Sequence, residues 1–151
     1  MKEPVSFFVE GDPKGQPRAR ACIRGKRAGV YDPGTADKWK AAVAEVWRNV
    51  VAPENAPRLS PFTGAVSLRL GFFFRRPKGH YGSGKNAGSL KAGAPNRHAG
   101  KPDLDNLAKA VMDVLTRLGA WTDDALVSRL TVSRAWAVGV PGCSISITEI
   151  G

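Results

Sequence analysis

Histidine is nearly absent from this chain of 151 residues: only His80 and His98 occur, both inside one glycine-rich stretch. A histidine-built metal centre or general base therefore has little material; His98 with Asp103 is the one weak option. Cysteine is equally scarce, and Cys22 and Cys143 match no zinc spacing. Both are read as reduced thiols rather than a disulfide scaffold. No apolar run approaches the roughly 20 residues that span a bilayer. Met1-Lys2-Glu3-Pro4 opens the chain without the apolar core of a signal peptide. Gly82-Ser83-Gly84-Lys85 lacks both the spacing and the strand–loop–helix setting of a phosphate-binding loop. The expectation is a cytoplasmic protein that uses no membrane and no nucleotide cofactor.

Acid is the next shortage. Asp and Glu total 13 against 23 Lys and Arg, a net charge of +10 and a pI near 10.1. An excess of that size favours a polyanionic partner, nucleic acid first among them. A basic surface kept only for solubility is the plainer alternative. Hydrophobic residues make up 42% of the chain, enough for one domain over residues 1–151 with an ordinary core.

Val5, Phe7 and Val9 alternate within Pro4–Glu10 and predict a first strand. A turn-rich run carrying Lys14 follows, then Arg18, Arg20, Arg24, Lys26 and Arg27, with no acid between Asp12 and Asp32. That segment reads as a loop able to lie along phosphates. Thr35 is the expected N-cap of a helix over residues 36–51, whose Trp39, Val43, Val46, Trp47 and Val50 recur at helical spacing. Residues 64–74 alternate through Val66, Leu68, Leu70, Phe72 and Phe74 against Ala65, Ser67, Arg69 and Gly71 and predict a strand with one buried face.

Residues 75–101 hold seven basic residues, six glycines and no acid, and include Arg75, Arg76, Lys78, Lys85 and Lys101. This reads as a flexible basic arm that orders on substrate. A second helix begins at Leu104 or Asp105 and ends at Leu118, with Gly119 in the C′ position. Leu107, Val111, Val114, Leu115 and Leu118 form its buried stripe. Strands over 126–138 and 143–150 are expected to close the chain, joined at Gly139-Val140-Pro141-Gly142 by a hairpin-like turn. The fold class is α/β of the α+β type: a mixed sheet of about four strands packed by two main helices.

The acids that do occur are concentrated. Lys101-Pro102-Asp103-Leu104-Asp105-Asn106-Leu107-Ala108-Lys109 places two carboxylates and a lysine about the mouth of the second helix, and Asp123-Asp124 follows that helix's end. Asp105 and Lys109 project from the side opposite the apolar stripe, roughly 6 Å apart along the axis. Asp at a helix start is often only a cap, which explains Asp103 or Asp105 but not both. Converging carboxylates in a basic chain suit a hard cation such as Mg²⁺, which keeps waters and takes further ligands from substrate phosphate. Asp103, Asp105 and one of Asp124 or Asp123 are the candidate ligands of a metal-dependent phosphodiesterase.

The run from Pro102 to Val127, with Gly119-Ala120-Trp121-Thr122-Asp123-Asp124, closely resembles the RusA family of Holliday-junction resolvases. Lys14-Gly15-Gln16-Pro17-Arg18-Ala19-Arg20 and Tyr31-Asp32-Pro33 resemble the family's N-terminal half more loosely. The resemblance implies a homodimeric, Mg²⁺-dependent endodeoxyribonuclease, bacterial or prophage-encoded, in which Mn²⁺ substitutes for Mg²⁺. Its work would be recombination and repair, by paired symmetric nicks in four-way DNA. It places the catalytic carboxylates on Asp103, Asp105 and Asp124 and the catalytic lysine on Lys109. Asn106, Asp113 and Asp123 fall on motif positions read as supporting. Two rival readings stand beside it: a nuclease for flaps or forks, and a non-catalytic DNA-binding protein on the same fold.

Overall fold

Nine residues, Val66–Phe74, form the strand around which the computed structural model is built; it describes all 151 residues. In chain order the elements are β1 (Val5–Glu10), β2 (Arg20–Arg24), β3 (Arg27–Tyr31), α1 (Asp37–Val51), β4 (Val66–Phe74), α2 (Leu104–Arg117), β5 (Val127–Trp136) and β6 (Gly142–Glu149). Four of the strands make one mixed sheet in the order β1-β6-β4-β5, and β2 pairs with β3 in a separate hairpin. The expected fold class, a mixed four-stranded sheet with two helices, is the one observed.

The period-2 pattern of β4 explains its place. Val66, Leu68, Leu70 and Phe72 are fully buried and point to one face. On β6, Leu68, Leu70 and Phe72 are matched across the ladder by Ile147, Ile145 and Cys143, and Val9 extends the row on β1. Trp39, Val43, Ala44 and Trp47 of α1, with Leu107, Val111, Val114 and Leu115 of α2, join these in one core cluster. Burying each Leu, Ile or Phe here stabilises the fold by about 1.5–3 kcal/mol. The opposite face keeps Ser6, Ser144, Ser146, Ser67 and Arg69, and the Ser6 hydroxyl donates to Ser146 Oγ at 3.0 Å.

β4 and β5 run parallel, so the chain must cross over between them, and α2 is the crossover. The last connection differs from the hairpin expected at residues 139–142. β6 does not pair with β5; it passes the end of β4 and joins its far side, antiparallel. Burial gives the reason. Cys143, Ile145 and Ile147 are almost wholly buried and belong in the sheet's centre, whereas β5 is largely exposed and suits an edge. Ala137 N donating to Phe74 O at 2.7 Å and Gly11 N donating to Pro141 O at 3.1 Å hold the passing chain.

Two further expectations are corrected. The N-cap of α1 is Ala36, not Thr35, and has no side-chain cap; Asp32 Oδ1 instead accepts from Gly34 N at 2.7 Å and shapes the turn before it. Residues 20–31 form the β2–β3 hairpin rather than an open loop, because Gly25, at φ 62°, allows the two-residue turn with Lys26. The stretch 75–101 contains two short 3₁₀ turns, Lys78–His80 and Gly84–Asn86, and a bridge between Tyr81 and Leu90. No helix is long and apolar enough to cross a membrane.

Candidate active site

Asp103 is the N-cap of α2, with extended φ/ψ of −64° and 147°. Its side chain caps no backbone N–H; Oδ1 accepts instead from Lys101 Nζ at 3.2 Å. Two residues on, Asp105 occupies the first turn of α2, where the helix dipole favours a carboxylate. At the other end of α2, Gly119 turns the chain at φ 75° and Trp121 is locked into the core, its Nε1 donating to Thr116 Oγ1 at 2.9 Å. That anchor delivers Asp123 and Asp124 to the entry of β5.

The two neighbours then part. Asp123 caps the 3₁₀ turn Asp124–Leu126, its Oδ1 accepting from Ala125 N at 2.7 Å. Asp124 lines a cavity of about 430 Å³ together with Asp105, Lys109, Asp113, Thr116 and Leu130. Asp105 and Asp124 form no ion pair, so two uncompensated carboxylates share one cleft. Asp103 does not line that cleft, and no three such groups approach closely enough to make a ready-made cage. The donors nonetheless suit Mg²⁺, which needs few protein carboxylates and completes its shell with water and phosphate.

Lys109 stands on a ridge between this cleft and a second cavity lined by Gln16, Pro17, Arg18, Ala19, Asp32 and Asn106. The loop before β2 is pressed against the start of α2. Gln16 N donates to Asn106 O at 2.9 Å, and a Cβ on Gly15 would come within 3.0 Å of Pro102 Cβ. Gly15 is therefore a close-approach glycine. The larger cavity, about 650 Å³, lies elsewhere; Pro4, Val5, Trp47, Pro57 and Phe62 line it, and it holds no pair of carboxylates.

Two site residues escaped the reading of the sequence. Lys40 of α1 donates to Gln16 Oε1 at 2.7 Å and lies 3.9 Å from Asp113 Oδ2, tying the loop, α1 and α2 together. Arg134 of β5 donates through Nη1 to Gly100 O at 2.7 Å and to Pro102 O, holding the segment that carries Asp103. Both had a signal. Arg134 falls in phase with Leu130, Val132 and Trp136, and Lys40 in phase with Val43, Ala44 and Trp47, where an apolar residue is the default.

The basic residues are distributed unevenly. Lys14, Arg18, Arg20, Arg24, Lys26, Arg27, Lys78, Lys85 and Lys101 are exposed. Arg75 is exposed and lies 3.4 Å from Asp12. Arg76, expected on phosphate, is only 7% exposed: it donates to Ala137 O at 3.2 Å and to Pro95 O at 2.7 Å, so it fastens the arm to the domain. His98 stacks on Phe74 with centroids 4.2 Å apart and meets Trp136 edge-on. Burial, and then the charge of Arg134, lower its pKa below the ordinary 6.5.

Residues 10–148 match the family model described as endodeoxyribonuclease RusA. The chain belongs to the RusA family of endodeoxyribonucleases. It is 32% identical over 146 residues to the uncharacterized protein YqaN of Bacillus subtilis (strain 168), covering 97% of this chain and 96% of that one. It is also 43% identical over 49 residues to the crossover junction endodeoxyribonuclease RusA of Escherichia coli O139:H28 (strain E24377A / ETEC), 32% of this chain and 41% of that protein. As a RusA-family member the chain is an endodeoxyribonuclease, and its scissile bond is a DNA phosphodiester.

Proposed function

We propose that this RusA-family enzyme is a Mg²⁺-dependent resolvase of four-way DNA junctions, active as a homodimer that nicks two opposed strands. The observation that carries the reading is the cleft that Asp105 and Asp124 line together with Lys109, in a chain of net charge +10. The substrate class is supported by the similarity to the Escherichia coli crossover junction enzyme.

In this reading Asp105 and Asp124 would hold the cation, and Asp103, ion-paired with Lys101 at the N-cap of α2, would be the third carboxylate near it. Bound Mg²⁺ supplies Lewis-acid stabilisation of phosphate charge and a water acidic enough to attack. Lys109 donates to a non-bridging oxygen of the scissile phosphate as negative charge builds there. Asp123 keeps the turn in register, Asn106 seats the Gln16 loop against α2, and Asp113 holds Lys40 near that loop. Arg18, Lys14 and the exposed lysines bind flanking phosphates, which orients the strand without reading its bases. Hydrolysis leaves 5′-phosphate and 3′-hydroxyl ends. Two sites related by a two-fold axis account for paired nicks.

The test compares wild type and Asp105→Asn on a four-way junction, a flap, a fork and plain duplex, with Mg²⁺, with Mn²⁺ and with chelator. Wild type is expected to cut the junction in both metals and not in chelator. Asp105→Asn is expected to lose cleavage while binding holds or tightens, because one negative charge leaves the phosphate site. Undiminished cleavage by Asp105→Asn would sink the metal site. Preference for flap or fork would replace the substrate. A monomer in sedimentation, free and on DNA, would remove the dimer.

A further inference from the structure

Strands β2 and β3 form a hairpin with nearly every residue exposed, and a two-stranded hairpin alone in water is marginal at best. Its register sorts the side chains into two unlike faces. Arg20 opposes Tyr31, Cys22 opposes Gly29, and Arg24 opposes Arg27 on one face; Ala21 opposes Val30 and Ile23 opposes Ala28 on the other. Ile23 is 79% exposed and Val30 74%, so the second face is apolar and bare. On the first, Arg24 and Arg27 are like charges directly across a ladder, a destabilising pair unless an anion sits between them. None of these arginines has an acidic partner, and no acid occurs from Pro13 to Tyr31.

The hairpin also stands next to the candidate active site. Ala19 and Asp32, at its two feet, line the same cavity as Lys109, which also borders the Asp105–Asp124 cleft. A DNA strand held in the cleft would have a path past Lys109 onto the hairpin. Five residues at about 3.3 Å each reach roughly 17 Å, about five base-pair steps of 3.4 Å.

We propose that the β2–β3 hairpin is a branch-point probe. Its Arg20, Arg24 and Arg27 face grips the phosphates of one arm, while Ile23 and Val30 meet base surfaces that are uncovered only where stacking is interrupted. Apolar side chains at such steps are a general way of reading deformable DNA. This rests on the branched-DNA reading above and extends it: the hairpin, not the cleft, separates junction from duplex.

The test uses full-length Ile23→Ser/Val30→Ser and Arg24→Gln/Arg27→Gln, with a 2-aminopurine beside the branch of a four-way junction. The serine pair is expected to abolish the fluorescence rise on binding and to cut the junction-over-duplex affinity ratio about tenfold, from the lost apolar cover. Its salt dependence should stay as in wild type. The glutamine pair should instead flatten log K against log salt by about 2, two phosphates at roughly 0.9 each. A serine pair with full fluorescence and full discrimination overturns the probe alone. A serine pair that changes the sedimenting species assigns the apolar face to self-association and overturns it too. Wild type binding junction and duplex equally overturns the substrate reading and the probe together.

Discussion

Replacing Arg134 by Met tests whether the segment before α2 must be held for cleavage. Methionine keeps the unbranched stem beside Trp136 but removes the donor that reaches Gly100 O and Pro102 O. A hydrogen bond from a charged group contributes about 1.5–3 kcal/mol where it is sheltered, and less where it is exposed. The Gly100 bond is exposed and the Pro102 bond half-buried, so about 2 kcal/mol of local order is at stake. At 1.4 kcal/mol per decade, the equilibrium between the held and the released segment shifts about 30-fold towards release, so the fraction presenting Asp103 falls by up to about that factor. The expected result is a drop in kcat/KM for junction cleavage of up to that factor. Tm should fall by only about 4–8 °C, at 2–4 °C per kcal/mol for a chain of this size.

Two controls separate positioning from simple unfolding. Arg134→Lys retains a cation within reach of the same carbonyls and should recover part of the activity. The charge of Arg134 also lowers the pKa of His98, second to burial, so the His98 ring should titrate higher in Arg134→Met, as followed by NMR. Wild-type cleavage by Arg134→Met, or loss of activity only in proportion to unfolding, would refute the reasoning.

The remaining predictions concern the rest of the molecule. Burial pushes the Cys143 thiol up to about 12 against the smaller opposing hydrogen bond at Gly71, so a thiol reagent at pH 8 should label Cys22 alone until denaturant is added; rapid labelling of both in the native protein would contradict this. His98 has a folded pKa below its ordinary 6.5, so below that value the unfolded chain binds more protons. Its contribution is present above pH 6.5 and is lost as pH falls through 6.5 towards the folded pKa. His98→Phe should flatten that part of the melting profile, and an unaltered profile would place the titration elsewhere. Trp121 is 2% exposed, and Trp121→Ala should cost about 3–5 kcal/mol in urea unfolding; a loss under 1 kcal/mol would mean the site collapses around the gap.

What could be read in advance follows from how locally each feature is determined. The alternation in residues 64–74 and the stripe from Leu107 to Leu118 are periodic patterns that only one buried face satisfies, so β4 and α2 were legible almost residue by residue. The course of β6 was not. Nothing in Gly139-Val140-Pro141-Gly142 says whether the chain returns beside β5 or steps past β4; that is decided by which strand has most apolar surface to bury. The hairpin was hidden for the opposite reason: residues 20–31 bury almost nothing, so their pairing left no hydrophobic pattern.

Asp123 and Asp124 show the same limit at the scale of one residue. Both are carboxylates at the end of the same turn, and composition, charge and spacing treat them alike. They are separated by a single backbone N–H, that of Ala125, which Asp123 accepts, while Asp124 lines the cleft with Asp105 and Lys109. The division has a physical logic. A 3₁₀ turn this short is held by few bonds, and the Asp123 cap adds one directly beneath Asp124. An acidic pair at such a turn is then two jobs on adjacent residues, one for the backbone and one for the cleft. α2 solves the same problem differently: Asp103 holds the N-cap position but its carboxylate takes Lys101 rather than a backbone N–H, while Asp105, two residues later, lines the cleft with Lys109.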